Sequence, residues 1–288
     1  MLPGEPEDIF RRALRDRAFD IAELSMGSHI VTTARGDGPY IGVPVFPSRA
    51  FRHSAVYVRT DRGISGPADL AGRAVGVPEY QQTAALWVRG ILREHYGVDT
   101  RRIAWRTGGE RVPIRLPEGV DVRPLGGDLQ EALATGRIDA LIAPRPPAAF
   151  EDRSAPVGRL WPDYRAEEVA WHRASGFFPI MHCLAVRRDV AERHPWLPVE
   201  LFRAFARARA TALAELRLVN VLRVSLPWAA PAYEEQAAIM GGDLWPYGFV
   251  RNRDEIAAMV RFAVEDGLAS KAVEPEELFH PSTLAESA

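Results

Sequence analysis

The sequence predicts a two-lobed α/β fold in which each lobe is a mostly parallel sheet flanked by helices. Short β-rich segments alternate with helical segments over the first two thirds of the chain, and this alternation is typical of parallel α/β sheets. The order of the segments indicates a split first lobe, residues 1–72 and 180–288, around an inserted second lobe, residues 73–179. Such folds bind ligands at the carboxyl ends of strands, so we expect a cleft between the lobes.

The first lobe is predicted to begin with an amphipathic helix at 7–18, because Ile9, Phe10 and Leu14 fall at helical spacing. Apolar runs bounded by turn residues then predict strands. Pro47 ends one of these runs, since proline lacks the N–H that a sheet ladder needs. The further elements predicted here are strands at 19–24, 40–46 and 55–59, a helix at 28–34 and a short helix at 67–70.

The second lobe opens with a strand, a turn and a helix that can be read directly from the sequence. Residues 73–77 are β-rich, and apolar residues recur at helical spacing between Ala84 and Leu92. A strand at 180–187 is expected to return the chain to the first lobe, which ends in helices. The remaining predictions are strands at 103–107, 121–124 and 138–143, a loop at 111–119, and helices at 83–96, 129–135, 198–218, 231–240, 253–266 and 275–278.

Composition limits the classes of partner and the compartment. A net charge of −2 argues against nucleic acid as the main partner. Cys183 is the only cysteine, so the chain forms no internal disulfide and a reducing compartment is allowed. The first ten residues lack the basic and apolar regions of a secretory signal, and no apolar run reaches membrane-spanning length. We therefore expect a cytoplasmic protein with no membrane partner.

Several kinds of cofactor chemistry find no support in the sequence. Lys271 is the only lysine, which leaves a single residue for any Schiff base. The dinucleotide and phosphate-loop glycine motifs are missing from the sequence. No HxH, HExxH or CxxC spacing indicates a metal site, although His53, His182 and Glu79 could still converge in space. We expect no cofactor and no metal.

The turn before the helix at 83–96 is a predicted anion site. A helix begins with unpaired N–H groups, which favour a carboxylate or phosphate. Glu79 beside a bound anion would act as an acid or as the partner of an arginine. The alternative is that Thr83 merely caps its own helix, and both can hold. The residues of this predicted site are Glu79, Tyr80, Gln81, Gln82 and Thr83.

Three arginines are candidates for binding carboxylates. Arg49 and Arg52 stand with His53 in one short segment after a predicted strand, and arginine suits bidentate binding of a carboxylate. The alternative for this cluster is a solvated loop with a surface ion pair. Arg145 lies in a segment stiffened by three prolines, so its side chain is presented on a rigid loop. The alternative there is a rigid crossing between lobes with an incidental arginine.

Two histidines, His53 and His182, are the leading candidates for proton transfer, and His29 is a third. His182 is expected where the chain crosses back between lobes, although a histidine among apolar residues is more often a core residue. Trp245 and Tyr247 could form an aromatic wall of the cleft, or could simply pack against the C-terminal helices.

Several segments carry a resemblance to a known family. Residues 69–77, DLAGRAVGV, resemble the hinge of type II periplasmic-binding-protein folds. More specific blocks resemble the 4,5-dihydroxyphthalate decarboxylase family over nearly the whole chain, in the same order. These blocks are VFPSRAFRHS (45–54), PEYQQT (78–83), APRPP (143–147), FPIMH (178–182) and WPYG (245–248). Members of the family have a further strand and a polar turn before the first helix, so either the sequence starts downstream of that strand or the first sheet lacks it.

The resemblance implies a decarboxylase that needs no cofactor and acts on a hydroxylated aromatic dicarboxylate. The implied reaction converts 4,5-dihydroxyphthalate to 3,4-dihydroxybenzoate and carbon dioxide in phthalate degradation. His53 and His182 would form the acid/base pair, in either order, and Arg49, Arg52 and Arg145 would anchor the substrate. The alternative is a solute-binding or sensor protein of the same fold that binds an aromatic or heteroaromatic carboxylate without chemistry. A small-molecule aromatic carboxylate is the expected partner in both cases, and association into a homo-oligomer is left open.

Overall fold

The computed structural model describes residues 3–109, 118–269, 271 and 273–288. The predicted loop at 111–119 lies largely outside the described residues. The strands are β1 (Ile21–Ser25), β2 (Tyr40–Arg49), β3 (Val56–Arg59), β4 (Ala74–Val77), β5 (Ala104–Thr107), β6 (Val122–Pro124), β7 (Ala140–Ile142), β8 (Val157–Arg159) and β9 (Ile180–Arg187). The helices are α1 (Pro6–Asp16), α2 (Met26–Arg35), α3 (Thr83–Glu94), α4 (Leu129–Thr135), α5 (Ala148–Glu151), α6 (Tyr164–Ser175), α7 (Arg188–Arg193), α8 (Leu197–Leu216), α9 (Ala229–Met240) and α10 (Phe249–Glu265).

The first sheet has three strands in the order β1-β9-β2, and β9 runs antiparallel to both neighbours. It therefore differs from the mostly parallel sheet that the sequence predicts for this lobe. The reason is topological. Strand β2 carries the chain out of the lobe and β9 brings it back, so the two crossing strands lie side by side in opposite directions.

The second sheet has six strands in the order β6-β5-β4-β7-β3-β8. Strands β4 to β7 pair in parallel, whereas β3 is antiparallel to both β7 and β8. The predicted two-lobed α/β fold class is thus confirmed. The sequence places residues 55–59 in the first lobe, but β3 is hydrogen-bonded within the second sheet. The chain changes sheets between β2 and β3, and not at residue 72.

Helix α3 follows β4 of the second sheet in the chain, but it packs against α2 and α10 of the first lobe. The indole N–H of Trp87 donates to the carbonyl oxygen of Ile180 on β9, at 2.9 Å. Arg89 is fully buried and its Nε donates to Asp266 Oδ2 at 2.6 Å. Gly90 admits the ring of Phe262 so closely that a Cβ would lie 2.3 Å from it. These buried contacts hold the middle of α3 against the first lobe.

None of the helices in the described ranges is both long and apolar enough to cross a bilayer.

Candidate functional site

A cleft of about 250 Å³ opens where the carboxyl end of β1, the start of α3 and the beginning of β9 come together. Both lobes contribute residues to its walls, as the sequence predicts for an interlobe site. Of the residues singled out from the sequence, its walls contain Arg52, Glu79, Gln82, Thr83, Arg145 and His182. Other wall residues, which the sequence did not single out, include Phe10, Arg11, Arg15, Ser25, Ser28 and Met181.

The N-termini of α2 and α3 meet at the floor of the cleft. Ser25 is the N-cap of α2, and its Oγ lies 2.8 Å from Oγ1 of Thr83, the first residue of α3. The backbone N–H of Gly27 also donates to Thr83 Oγ1, at 3.0 Å. The Thr83 hydroxyl therefore joins two helices, which is a different role from the predicted cap on its own helix. Two helix N-termini at one point give this end of the cleft a positive potential.

The close approach of the two helices depends on Gly27. A Cβ at this position would lie 2.3 Å from the carbonyl oxygen of Gln81 and 3.3 Å from the backbone nitrogen of Thr83. Because both neighbours are backbone atoms, a side chain here would require one helix to move. Glycine thus permits the contact that sets the width of the cleft floor.

The turn before α3 divides into residues that face the cleft and residues that are buried behind it. Tyr80 and Gln81 are buried and are not among the wall residues, in contrast to the prediction. The Arg89 guanidinium lies 4.0 Å from the ring centroid of Tyr80, which accounts for the burial of that ring. Gln81 Nε2 lies 3.5 Å from Oε2 of Glu79. The turn therefore presents Glu79, Gln82 and Thr83 to a ligand.

Arg52 is the best-placed cation in the cleft. Its Nε donates to Met181 Sδ at 3.0 Å, and among the described residues no carboxylate forms an ion pair with its guanidinium. Burial lowers the pKa of Arg52 to about 10, against an opposing effect of Glu168. The side chain remains charged at neutral pH and its other N–H groups can bind an incoming carboxylate.

The other two predicted anchors occupy different environments. Arg145 lies at the rim of the cleft, is largely exposed and pairs with Glu5. Arg49 is buried outside the cleft, where Nη1 donates to the carbonyl oxygen of Phe178 at 2.6 Å and to Glu255 at 3.2 Å. Burial lowers the pKa of Arg49, and Glu255 opposes that shift. Arg49 is therefore a structural cation that ties β2 to α10.

His182 lies in the wall of the cleft on β9. Its Nδ1 is 2.5 Å from Oε1 of Glu23 on β1, and the Phe10 ring meets it edge-on at 4.8 Å between centroids. The side chain is 19% exposed, so it is shielded yet reachable. Sequence reasoning missed Glu23. The sequence does contain a pattern that points to Glu23. It alternates with the apolar residues Ala22 and Leu24, so its side chain lies on the strand face that continues to the cleft.

His53 does not lie in the cleft. A short helical turn, His53–Ala55, directs the ring into an aromatic cluster, with Trp161 at 4.9 Å and Tyr96 at 6.0 Å. Burial lowers the pKa of His53 to about 4, with a smaller effect of His95. The structure therefore does not bring the two predicted histidines together.

His29 is also a core residue. Its Nε2 lies 2.8 Å from the carbonyl oxygen of Leu278, and burial lowers its pKa to about 4. The third candidate for proton transfer is thus neutral and bound to the backbone.

Trp245 and Tyr247 lie outside the cleft, where Trp245 packs against Phe178, and Tyr247 packs against Phe46 and α8. The Trp245 indole N–H donates to the carbonyl oxygen of Phe46 at 2.7 Å. The Tyr247 ring is buried and stacks under the Arg209 guanidinium at 5.3 Å. Of the two alternatives stated from the sequence, packing is the one that the structure shows.

Helix α1 is a wall of the cleft that the sequence did not single out. Its inner face contributes Phe10, Arg11 and Leu14 to the lining. The amphipathic pattern predicted the helix but could not show which surface its apolar side would cover. In the described part of the chain no three His, Cys, Asp or Glu side chains are grouped closely enough to hold a metal ion.

Comparison with known proteins gives two informative relatives by sequence. The chain is 45% identical over 289 residues to 4,5-dihydroxyphthalate decarboxylase of Comamonas testosteroni, covering 97% of this chain and 88% of that protein. It is 44% identical over 182 residues to the protein of the same name from Pseudomonas putida, covering 60% and 70%. No protein-family model matches the chain.

Solved structures give the fold. The aliphatic sulphonate binding protein SsuA of Escherichia coli superposes with a TM-score of 0.55 at 15% identity, over 98% of this chain and 86% of that one. A sulfonate-binding protein of Methylobacillus flagellatus gives 0.57 at 14% identity, over 97% and 77%. These likenesses show a periplasmic-binding-protein-like fold.

Proposed function

The chain belongs to the 4,5-dihydroxyphthalate decarboxylase family, and from this premise we propose that it removes one carboxylate from 4,5-dihydroxyphthalate. The products would be 3,4-dihydroxybenzoate and carbon dioxide. The observation that carries the proposal is a cleft that combines a guanidinium without a carboxylate partner among the described residues, a partly shielded histidine and two helix N-termini. A dianionic aromatic substrate needs such cationic groups, and its decarboxylation needs a proton donor.

Binding follows from the charges in the cleft. Arg52 presents free N–H groups to one carboxylate, and the joined N-termini of α2 and α3 favour an anion close by. Arg145 at the rim can exchange its exposed pairing with Glu5 for a substrate carboxylate, because exposed ion pairs contribute little. Glu79 offers an acceptor for a ring hydroxyl. The carboxylates of the substrate would thus meet cationic groups, and a ring hydroxyl would meet a hydrogen-bond acceptor.

In the proposed reaction, His182 is the proton donor. Its imidazolium transfers a proton to the ring carbon that carries the departing carboxylate, with electron density supplied by the hydroxyl para to it. The bond from that carbon to the carboxylate then breaks, its electron pair restores the aromatic ring, and neutral carbon dioxide leaves. Water reprotonates the imidazole, so each turnover consumes one proton. Since His53 lies outside the cleft, the step uses one histidine and not the pair expected from the sequence.

The test is incubation of the protein with 4,5-dihydroxyphthalate and related aromatic acids, with and without chelator, while released carbon dioxide is measured. The variant His182→Gln should bind substrate and lose about 100-fold or more in turnover. The matched control is His194→Gln, at an exposed position outside the cleft. Binding of the substrate by the wild-type protein without release of carbon dioxide would overturn the proposal in favour of a solute-binding or sensor protein.

We propose further that copies of the chain associate through an exposed apolar segment between α8 and α9. Trp228 is 77% exposed, Val219 78% and Leu226 62%, and large exposed apolar side chains grouped in one segment are typical of protein interfaces. Light scattering should give the mass of an oligomer for the wild-type protein and of a monomer for the variant Leu226→Glu with Trp228→Glu. A monomeric wild-type protein would refute the proposal.

A further inference from the structure

The contact between Glu23 and His182 is set by the pairing of two strands. In the antiparallel register of β1 and β9, Ser25 lies opposite His182 and Glu23 lies opposite Leu184. Glu23 and His182 are therefore diagonal neighbours on one face of the sheet, close enough for long side chains to meet. Oε1 of Glu23 lies 2.5 Å from Nδ1 of His182, within hydrogen-bonding distance, and a bond from an imidazole N–H to a carboxylate is charge-assisted.

We propose that Glu23 is the positioning residue of His182. An ionised carboxylate can only accept a hydrogen bond, so Nδ1 carries a proton and Nε2 is the nitrogen left for the cleft. The proton that reaches the substrate would then come from Nε2. This inference rests on the proposed decarboxylase function, and it adds the orientation and the reactive nitrogen of the histidine.

The surroundings of the ring make Glu23 the group that sets this orientation. Phe10 meets the imidazole edge-on and supplies no polar partner. Of the flanking strand residues, Cys183 is buried and Met181 accepts a hydrogen bond from Arg52 through its Sδ. Glu23 is the only hydrogen-bond partner of the His182 ring within the described ranges. Without the carboxylate, either ring nitrogen could carry the single proton of the neutral ring, and the ring could rotate.

In the step that Glu23 would support, Nε2–H of the imidazolium gives its proton to the ring carbon, and the carbon–carboxylate bond breaks with release of carbon dioxide. The neutral imidazole keeps its proton on Nδ1 because Glu23 holds it there. Nε2 therefore recovers its proton from water in the same place, ready for the next substrate.

A purely structural role predicts something different. The strands β1 and β9 are joined by a ladder of five residue pairs that does not use the Glu23 side chain. Exchanging the carboxylate for an amide should therefore leave the fold intact. If Glu23 only tied strands together, its loss would lower stability and leave the per-turnover rate unchanged.

The experiment is a double-mutant cycle with Glu23→Gln, His182→Gln and the two combined. We expect Glu23→Gln to lower kcat by about 10- to 100-fold with KM changed by less than about threefold, and Glu23→Asp to recover part of the loss. The double variant should be no slower than His182→Gln alone, because the two residues act as a unit. Asp20→Asn, an exposed carboxylate that precedes the same strand, is the matched control.

Nitrogen NMR of the imidazole provides a readout that does not need turnover. The His182 signals, identified by their loss in His182→Gln, should show the proton on Nδ1 in the wild-type protein and a mixture of both forms in Glu23→Gln. Unchanged kcat in Glu23→Gln, or losses that multiply in the double variant, would overturn the inference. Wild-type turnover in His182→Gln would instead contradict the proposed role of His182, and the NMR result would still report whether Glu23 holds the ring.

Discussion

Replacing Gly27 by alanine would separate the N-termini of α2 and α3. The added Cβ would lie 2.3 Å from the carbonyl oxygen of Gln81, whereas ordinary van der Waals contact begins at 3.4 Å. One helix must therefore retreat by about 1 Å, and the bond between Ser25 and Thr83 must lengthen with it. A misplacement of about 1 Å in a catalytic site costs about 100-fold in rate.

The assay is kcat/KM for release of carbon dioxide from 4,5-dihydroxyphthalate, together with thermal unfolding to show that the variant folds. We expect Gly27→Ala to fold and to lose about 100-fold in kcat/KM. The matched control is Gly66→Ala, because an added Cβ there meets no atom within 4 Å and the backbone is extended at φ −164°. A folded Gly27→Ala protein with kcat/KM within about threefold of wild type would refute the reasoning.

Three further outcomes are expected. Arg52→Gln should raise KM for the dicarboxylate by about 10- to 100-fold, since a hydrogen bond to a charged group contributes about 1.5–3 kcal/mol; an unchanged KM would contradict the anchor role. Arg49→Met should lower the free energy of unfolding by about 3–5 kcal/mol, measured with urea, because the buried carboxylate of Glu255 loses its cation. Stability should fall as pH drops from 6.5 towards 4, because burial lowers the pKa of His29 and His53 to about 4 and the unfolded chain takes up protons first; urea midpoints that stay constant, or a His53→Phe variant with an equal loss, would contradict this.

Much of the fold could be predicted from local sequence patterns. Strand β9 begins and ends where the apolar run at 180–187 predicts, and α3 begins at the predicted Thr83. These elements combine a periodic apolar pattern with clear flanking turn residues, so local propensity and tertiary packing favour the same structure. The allocation of β3 to the second sheet was not accessible, because strand pairing depends on partners such as Ile142 that are far away in sequence.

The candidate site could be predicted from the sequence only in part. The sequence indicated a segment of interest around Arg52 and His53, but which side chain enters the cleft depends on the backbone turn between them. That turn sends the imidazole into the aromatic cluster and leaves the guanidinium beside Met181. The spacing of the two residues in the sequence does not show in which direction each side chain points.

The sequence by itself determined the two-lobed α/β fold class, the helix start at Thr83 and, through the resemblance of its motifs, the family. Local periodicity and residue chemistry are sufficient for these. Only the tertiary structure decided that Arg49 is a buried structural cation, that Glu23 holds His182, and that Thr83 bonds to Ser25. Each of these facts is a contact between residues more than fifty positions apart in the chain. Strand register and helix packing create such contacts, and neither can be predicted from a single segment of the sequence.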